Sequence, residues 1–388
     1  MDHTTLTIGV CCSLVLLSVF SCIMNPLFRL PKKREQDGED DDSTTSDSRH
    51  DDMPPLSVIV MVHDNADALE RNLPLYLQQD YSPGYQIIVV ANEGDSAASD
   101  LIKLHAGAKH LQSTFIPVST RYVSKEKLGV TLGVKAANHE WCILTDALCQ
   151  PASNLWLKHM AQACSADNNI IVGYSNFNTD AKMFQRFARL SDFARIYREA
   201  VSSKPFAANF SNLAFRKSEF IAGDGYRGNL DCVRGEYDFI VNKYARKVST
   251  GVVEVEGALL EEAPTNRQWH RRRVFHIHSC RLMKGSFLHN AIKTIDTAAL
   301  HSAWLANIAA VAFAVYAHNW ILLVAAAAAL LILLVWRSLT GMKAAKRFDA
   351  SIPLWAIAVL ELTAVWHDFA DRLRYSKQSK YDFTCHKI

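Results

Sequence analysis

Two stretches without a single Asp, Glu, Lys or Arg, residues 5–24 and 302–336, partition this 388-residue chain. At 1.5 Å of rise per residue, about 20 residues cross the ~30 Å hydrocarbon core of a bilayer. The first stretch fits one crossing. Its basic neighbours Arg29, Lys32, Lys33 and Arg34 follow it rather than precede it, so it reads as a retained anchor and not a cleaved signal peptide. The positive-inside rule then puts the N-terminus outside and the chain from Arg29 onward in the cytoplasm. The second stretch would make one helix of ~50 Å, too long for a single crossing. Two helices, about 299–316 and 320–336, turning at His318-Asn319, fit better. Positive charge returns at Arg337, Lys343, Lys346 and Arg347 and brings the chain back to the cytoplasmic side. A third apolar run, about 352–367, is shorter, contains Glu361 and is basic on both flanks, which favours an interfacial or re-entrant helix. The expectation is an integral protein of the cell (inner) membrane, in contact with membrane lipids.

The remainder divides accordingly. Residues 1–28 are the anchor and residues 29–53 an acidic linker. Residues 54–285 form a cytoplasmic domain, and 286–388 a membrane region with a basic tail. Within the linker, 35–52 is so rich in Asp, Ser and Thr that it cannot bury enough apolar surface to offset ordering, so it is expected to be disordered. The net charge of +3 selects no partner by itself. Nine scattered cysteines form no CxxC pair and no zinc-ligand spacing, a usage typical of a reducing compartment. The basic cluster near 267–273 adjoins a membrane segment rather than an aromatic-studded sheet, which argues against nucleic acid as a partner.

Between 54 and 285, strand and helix patterns alternate. Strands are expected at Leu56–Val62, Tyr85–Ala91, Phe115–Pro117, Trp141–Thr145 and Ile170–Tyr174. Helices are expected at Ala66–Gln79, about 96–106, Lys125–Asn138 and 181–202. Such alternation predicts an α/β fold with a largely parallel sheet. Ligands of open sheets bind beyond the carboxyl ends of the strands. His63, Asp64, Asn92, Glu93 and Asp146 all fall at such ends, and Asp146 ends the apolar run Trp141-Cys-Ile-Leu-Thr.

Several ordered segments resemble family 2 glycosyltransferases. They are Leu-Ser-Val-Ile-Val-Met-Val-His-Asp-Asn (56–65), Gln-Ile-Ile-Val-Val-Ala-Asn-Glu-Gly (86–94), Lys-Leu-Gly-Val-Thr-Leu-Gly-Val-Lys-Ala-Ala (127–137), Ile-Leu-Thr-Asp-Ala-Leu-Cys-Gln-Pro (143–151), Ser-Asn-Leu-Ala-Phe-Arg-Lys (211–217) and Gly-Glu-Tyr-Asp (235–238). The resemblance implies a GT-A (Rossmann-like) fold, a mostly parallel sheet flanked by helices, and inverting transfer of a sugar from a nucleotide-sugar donor to a lipid-linked or polysaccharide acceptor. It places His63, Asn92 and Glu93 near the nucleoside, and Lys127 and Asp146 near the diphosphate. Asp146 would also hold a divalent metal, Mg²⁺ or Mn²⁺. Asp238 or Glu236 would be the catalytic base, and Asn212, Trp269 and Arg272 would serve the acceptor or gate the site. The chain departs from the pattern in two places: Leu148 stands where the second aspartate of Asp-x-Asp is usual, and Tyr237 where the Glu-Asp motif has its aspartate. Each position also has a plainer reading. Glu93 and Asp146 are turn residues, Lys127 shares a solvated helix face with Lys125 and Glu126, and Glu236 and Asp238 suit a helix N-terminus. Residues 266–278, basic and aromatic, suit a helix lying on anionic headgroups. The alternative to an enzyme is a degenerate, non-catalytic protein that binds a sugar nucleotide or a partner enzyme.

Overall fold

A computed structural model describes residues 3–28, 30–31, 53–118, 123–379 and 381–384. The segment expected to be disordered, 35–52, lies outside the described residues. In chain order the elements are α1 (His3–Met24), β1 (Leu56–Met61), α2 (Ala66–Leu77), β2 (Tyr85–Asn92), α3 (Ser96–Leu104), β3 (Leu111–Ile116), α4 (Lys125–Ala136), β4 (Trp141–Asp146), β5 (Cys149–Pro151), α5 (Trp156–Gln162), β6 (Ile170–Gly173), β7 (Ser175–Phe177), α6 (Met183–Ser202), β8 (Leu213–Arg216), α7 (Lys217–Ala222), α8 (Glu236–Tyr244), β9 (Thr250–Val253), β10 (Leu259–Glu261), α9 (Asn266–Leu282), α10 (Ser286–Tyr316), α11 (Trp320–Arg347), α12 (Leu354–Ser376) and α13 (Tyr381–Thr384). The chain separates into two compact units.

One unit holds the apolar helices. Three helices among the described residues are long and apolar enough to cross a membrane: Thr5–Met24, Ser286–Tyr316 and Trp320–Arg347. Alanines let them approach closely: Ala314, Ala326 and Ala329 pack with Leu14 and Leu322, and Ala303 with Cys22, Leu300 and Leu333. Both C-terminal apolar helices outrun their expected bounds. Polar turns at Ser286–Ala298 and Arg337–Arg347 continue the helix, and hydropathy alone does not register them. The third run is helical over Leu354–Ser376 and is not among the three. Its Glu361 accepts from Arg337 Nε at 2.7 Å and from Asn25 Nδ2 at 2.9 Å, so the acid is consumed inside this unit.

The other unit is built on a seven-stranded sheet in the order β3-β2-β1-β4-β8-β6-β9. All pairings are parallel except the two made by β8. Strands β1, β2 and β4 are buried along their length, as continuous apolar runs of a two-sided sheet must be. Leu69, Leu73 and Tyr76 of α2, Ala98 and Ile102 of α3, and Trp156, Leu157 and Met160 of α5 share one core with the sheet. Helix α4 presents Gly129 and Gly133 to it. A Cβ on Gly133 would lie 2.6 Å from Ile59 Cγ2, so only glycine permits this approach. The register pairs Met61 with both Val90 and Asp146. The carboxyl ends of β1, β2 and β4 therefore stop level, and the residues that follow share one edge.

Candidate active site

At that edge the chain leaves β1 through Asp64, whose φ of 56° lies in the left-handed region that Asp tolerates better than most residues. Asn65 Oδ1 accepts from the His63 N–H at 2.8 Å, and Asn65 Nδ2 donates to Asp146 Oδ1 at 3.4 Å. The Leu148 N–H donates to the same oxygen at 2.9 Å. The carboxylate of Asp146 is thus oriented through Oδ1, and no hydrogen bond to Oδ2 occurs among the described residues. Asp146 lines a cleft of ≈ 580 Å³, together with His63, Asp64, Asn92 and Leu148. A second hollow of ≈ 620 Å³ shares Asp64, Asn65, Asn92 and Lys125 with the cleft and runs on past Asp95 and Pro117.

The opposite wall comes from α8 and α9. Gly235, at φ 94°, caps α8 and lies against α9: a Cβ there would meet Ser279 Oγ at 2.2 Å. This contact sets the start of α8 beside α9. Asp238 is 2% exposed, and His276 Nδ1 bonds its Oδ2 at 2.9 Å. Burial alone would depress the imidazole, but the Asp238 carboxylate, with Cys280 beside it, outweighs burial and raises His276 well above its ordinary value. Arg234 pairs with Glu126 at 3.2 Å and lies 3.7 Å from Glu236 Oε1. Arg272 is ion-paired with the buried Glu261 of β10. The Tyr237 phenol, 3.3 Å from Ser211 Oγ, is pushed well above its usual range by burial and by the Asp146 charge. It is therefore a donor at neutral pH, not a base.

Of the residues singled out from sequence, His63, Asn92, Asp146, Glu236, Asp238 and Arg272 meet in this cleft. Four others do not line it. Lys127 is buried, and its Nζ donates to Asn229 O, Asn229 Oδ1 and Cys232 O at 2.6–2.7 Å, so its three donors are used in holding that loop. Burial lowers its pKa to about 8, against the opposing pull of Cys232 and three carboxylates. Glu93 is exposed, and its Oε2 accepts from the Val118 N–H. Asn212, at φ 85°, is fully buried; it accepts from Trp156 Nε1 and donates to Tyr174 O and Gly257 O. Trp269 is buried edge-on to Phe177.

Sequence reasoning missed Lys125, Arg234, Gln268, Arg271 and His276, all of which line the cleft. On α9, positions 268, 271, 272, 275 and 276 follow the i, i+3, i+4 rhythm of one helical face, and that face fronts the cleft. Helix α9 is thus a wall of the cleft, started by a Thr265/Gln268 capping box.

Six carboxylates line the cleft (Asp64, Glu126, Asp146, Glu236, Asp238 and Glu261) against four fixed cations (Lys125, Arg234, Arg271 and Arg272). A bare diphosphate is poorly matched to that balance. No group of three or more metal-ligating side chains occurs among the described residues. Mg²⁺ needs only one or two protein carboxylates when phosphates and water complete its shell. The donor set fits a cation that arrives with a diphosphate, and Asp146 is the carboxylate that would hold it. The Leu148 side chain offers no ligand atom.

No protein-family model and no curated protein matches the sequence. Solved structures do match the fold. A mannosyltransferase from Pyrobaculum calidifontis, determined with GDP-mannose and Mn²⁺, is 17% identical over 92% of this chain and 99% of its own, with a TM-score of 0.51. TarS (residues 1–349) from S. aureus, with UDP-GlcNAc, is 10% identical over 84% of this chain and 93% of its own, with a TM-score of 0.41. The fold is thus the α/β, mostly parallel GT-A architecture, joined here to one N-terminal and two C-terminal apolar helices.

Proposed function

We propose that this chain is a membrane-anchored, inverting glycosyltransferase of the family 2 kind, with its catalytic part facing the cytoplasm. It moves one sugar from a nucleotide-sugar donor to a lipid-linked or glycan acceptor. The observation that carries this reading is the presence of Asp146 and the Asp238–His276 pair in one cleft at the carboxyl edge of a GT-A sheet. The hollow beside Asn92 and Asp95 would take the nucleoside. Asp146 would hold a divalent cation on the diphosphate, and that cation would neutralise the leaving group's charge. Asp238, aligned by His276, would take the acceptor proton. Arg271 and Lys125 would receive phosphate oxygens, and the protonated Tyr237 would donate to whatever passes between them.

Nucleoside diphosphate release by the purified protein tests this, beginning with GDP-mannose and Mn²⁺, the ligands of the Pyrobaculum mannosyltransferase. Metal-dependent release from one donor of a panel is expected, and silence across the panel would overturn the reading. Leu148 favours one rival, a sugar-nucleotide binder without turnover. If the double change Leu148→Asp and Tyr237→Asp created turnover that the native chain lacks, the rival would stand.

A further inference from the structure

The turn that follows α1 is locked from within the helix unit. Asn25 is 1% exposed; its Oδ1 accepts from the Leu27 N–H at 2.9 Å and its carbonyl from the Phe28 N–H at 3.0 Å. Its Nδ2 donates to Glu361, which Arg337 of α11 also holds. Leu27 and Phe28 are thereby set against the end of α11, with Phe28 edge-on to Trp336 at 5.8 Å between ring centroids. A groove of ≈ 540 Å³ lies there. Its size falls within the ≈ 300–1,000 Å³ usual for a ligand site.

The lining of the groove is graded. Leu27, Phe28, Trp336 and Leu339 make an apolar end, Lys343 and Arg347 make a basic end, and among the described residues no carboxylate lines it. Trp336, Leu339, Lys343 and Arg347 recur at steps of three and four residues, so they share one face of α11. From Trp336 to Arg347 the helix rises about 16 Å. Lys343 is exposed, and no hydrogen bond or ion pair to its ammonium occurs among the described residues. Arg347 is half-buried, with its guanidinium 5.6 Å from the centroid of the Phe348 ring.

We propose that this groove holds one anionic phospholipid of the surrounding bilayer, its phosphate at Lys343 and Arg347 and one acyl chain along Leu339, Trp336 and Phe28. Charge decides the headgroup. Two cations with no carboxylate beside them in the wall favour a lipid of net negative charge, and a choline would bring a third positive charge next to them. The apolar end decides that the phosphate arrives on a lipid. A free phosphate would meet the cations but leave Trp336 and Leu339 uncovered. An aromatic pair followed by a basic turn is also the order in which a bilayer passes from chains to headgroups. The bound lipid closes the seam between the turn after α1 and the end of α11, and so fastens the N-terminal helix to its C-terminal partner. None of this depends on the glycosyltransferase reading.

The test is native mass spectrometry of the full chain in detergent, titrated with dioleoyl phosphatidylglycerol and with dioleoyl phosphatidylcholine. One phosphatidylglycerol is expected to bind in preference to phosphatidylcholine. The double variant Lys343→Gln/Arg347→Gln is expected to lose about fivefold in phosphatidylglycerol affinity per cation removed and to bind phosphatidylcholine as the native chain does. Lys346→Gln, exposed on α11 but outside the groove lining, should change neither. Should the double variant fail to fold, Lys343→Gln alone, at an exposed side chain, carries the test with its own fivefold loss. Glycerol 3-phosphate and farnesyl phosphate are added as competitors, and neither is expected to displace the phospholipid at equal concentration. Displacement by glycerol 3-phosphate would make the ligand a free phosphate, displacement by farnesyl phosphate would make it a prenyl lipid, and either would overturn the proposal. Equal affinity for the two phospholipids, or phosphatidylglycerol binding that ignores Lys343, would overturn it as well.

Discussion

Two residues apart on one helix, Lys125 and Lys127 have opposite fates. At 100° per residue they point about 200° apart, so one side chain can face the cleft only if the other faces the protein. Lys125→Ala is expected to weaken donor binding about tenfold without moving the melting midpoint. Lys127→Met, which strands Asn229 Oδ1 and two carbonyls, is expected to cost about 2–4 kcal/mol of stability; paired binding and melting measurements check both. The resemblance pointed to Lys127, and the sequence could not show that Lys125 faces the cleft instead, because that depends on how α4 meets the sheet. His276 was hidden for a related reason. Its partner Asp238 is 38 positions away, and only the α8–α9 contact joins them. The pair also predicts a pH dependence. The folded state raises the His276 pKa above its unfolded value of about 6.5. The stabilisation it gives is therefore complete below about pH 6.5 and is lost as pH rises through the folded value. In melting curves from pH 6 to 10, native protein should be ahead of His276→Gln at the acid end and converge on it at the alkaline end. A constant gap would contradict the ion pair.

Elements with a strong period were legible; elements defined by pairing were not. The continuous apolar runs of β1, β2 and β4, each ending in polar groups, marked both a parallel sheet and its ligand edge. Strand β8 has four residues and runs antiparallel between β4 and β6. Nothing in Leu-Ala-Phe-Arg reports a direction, and Asn212, just before the strand, came from the family resemblance, which could not show that its side chain is taken up by Trp156, Tyr174 and Gly257. The glycines of α4 lay within the segment that resembled the family, but their physical meaning emerges only against Ile59 and Met61. Gly133→Val is expected to cost about 1–3 kcal/mol despite its better helix propensity, and to weaken donor binding by lifting Lys125 from the edge. Chemical denaturation and donor titration of this variant check both effects.

For the whole molecule, the charges at the helix ends predict an orientation. If the positive-inside reading holds, the α10–α11 turn lies outside and the sheet inside. In a background without reactive native cysteines, a cysteine at His318 should react with an impermeant maleimide on intact cells. One at Lys103 should react only after lysis, and the reverse pattern would overturn the topology. Under the proposed function the labour divides across the cleft, with the donor held at Asp146 and the acceptor proton taken at Asp238. The most direct test of that division is Asp238→Asn, assayed for donor affinity and for single-turnover sugar transfer in the same preparation. Donor affinity is expected within about threefold of native and transfer slowed about 10²–10⁴-fold; transfer at the native rate would contradict the assignment of Asp238 as the base.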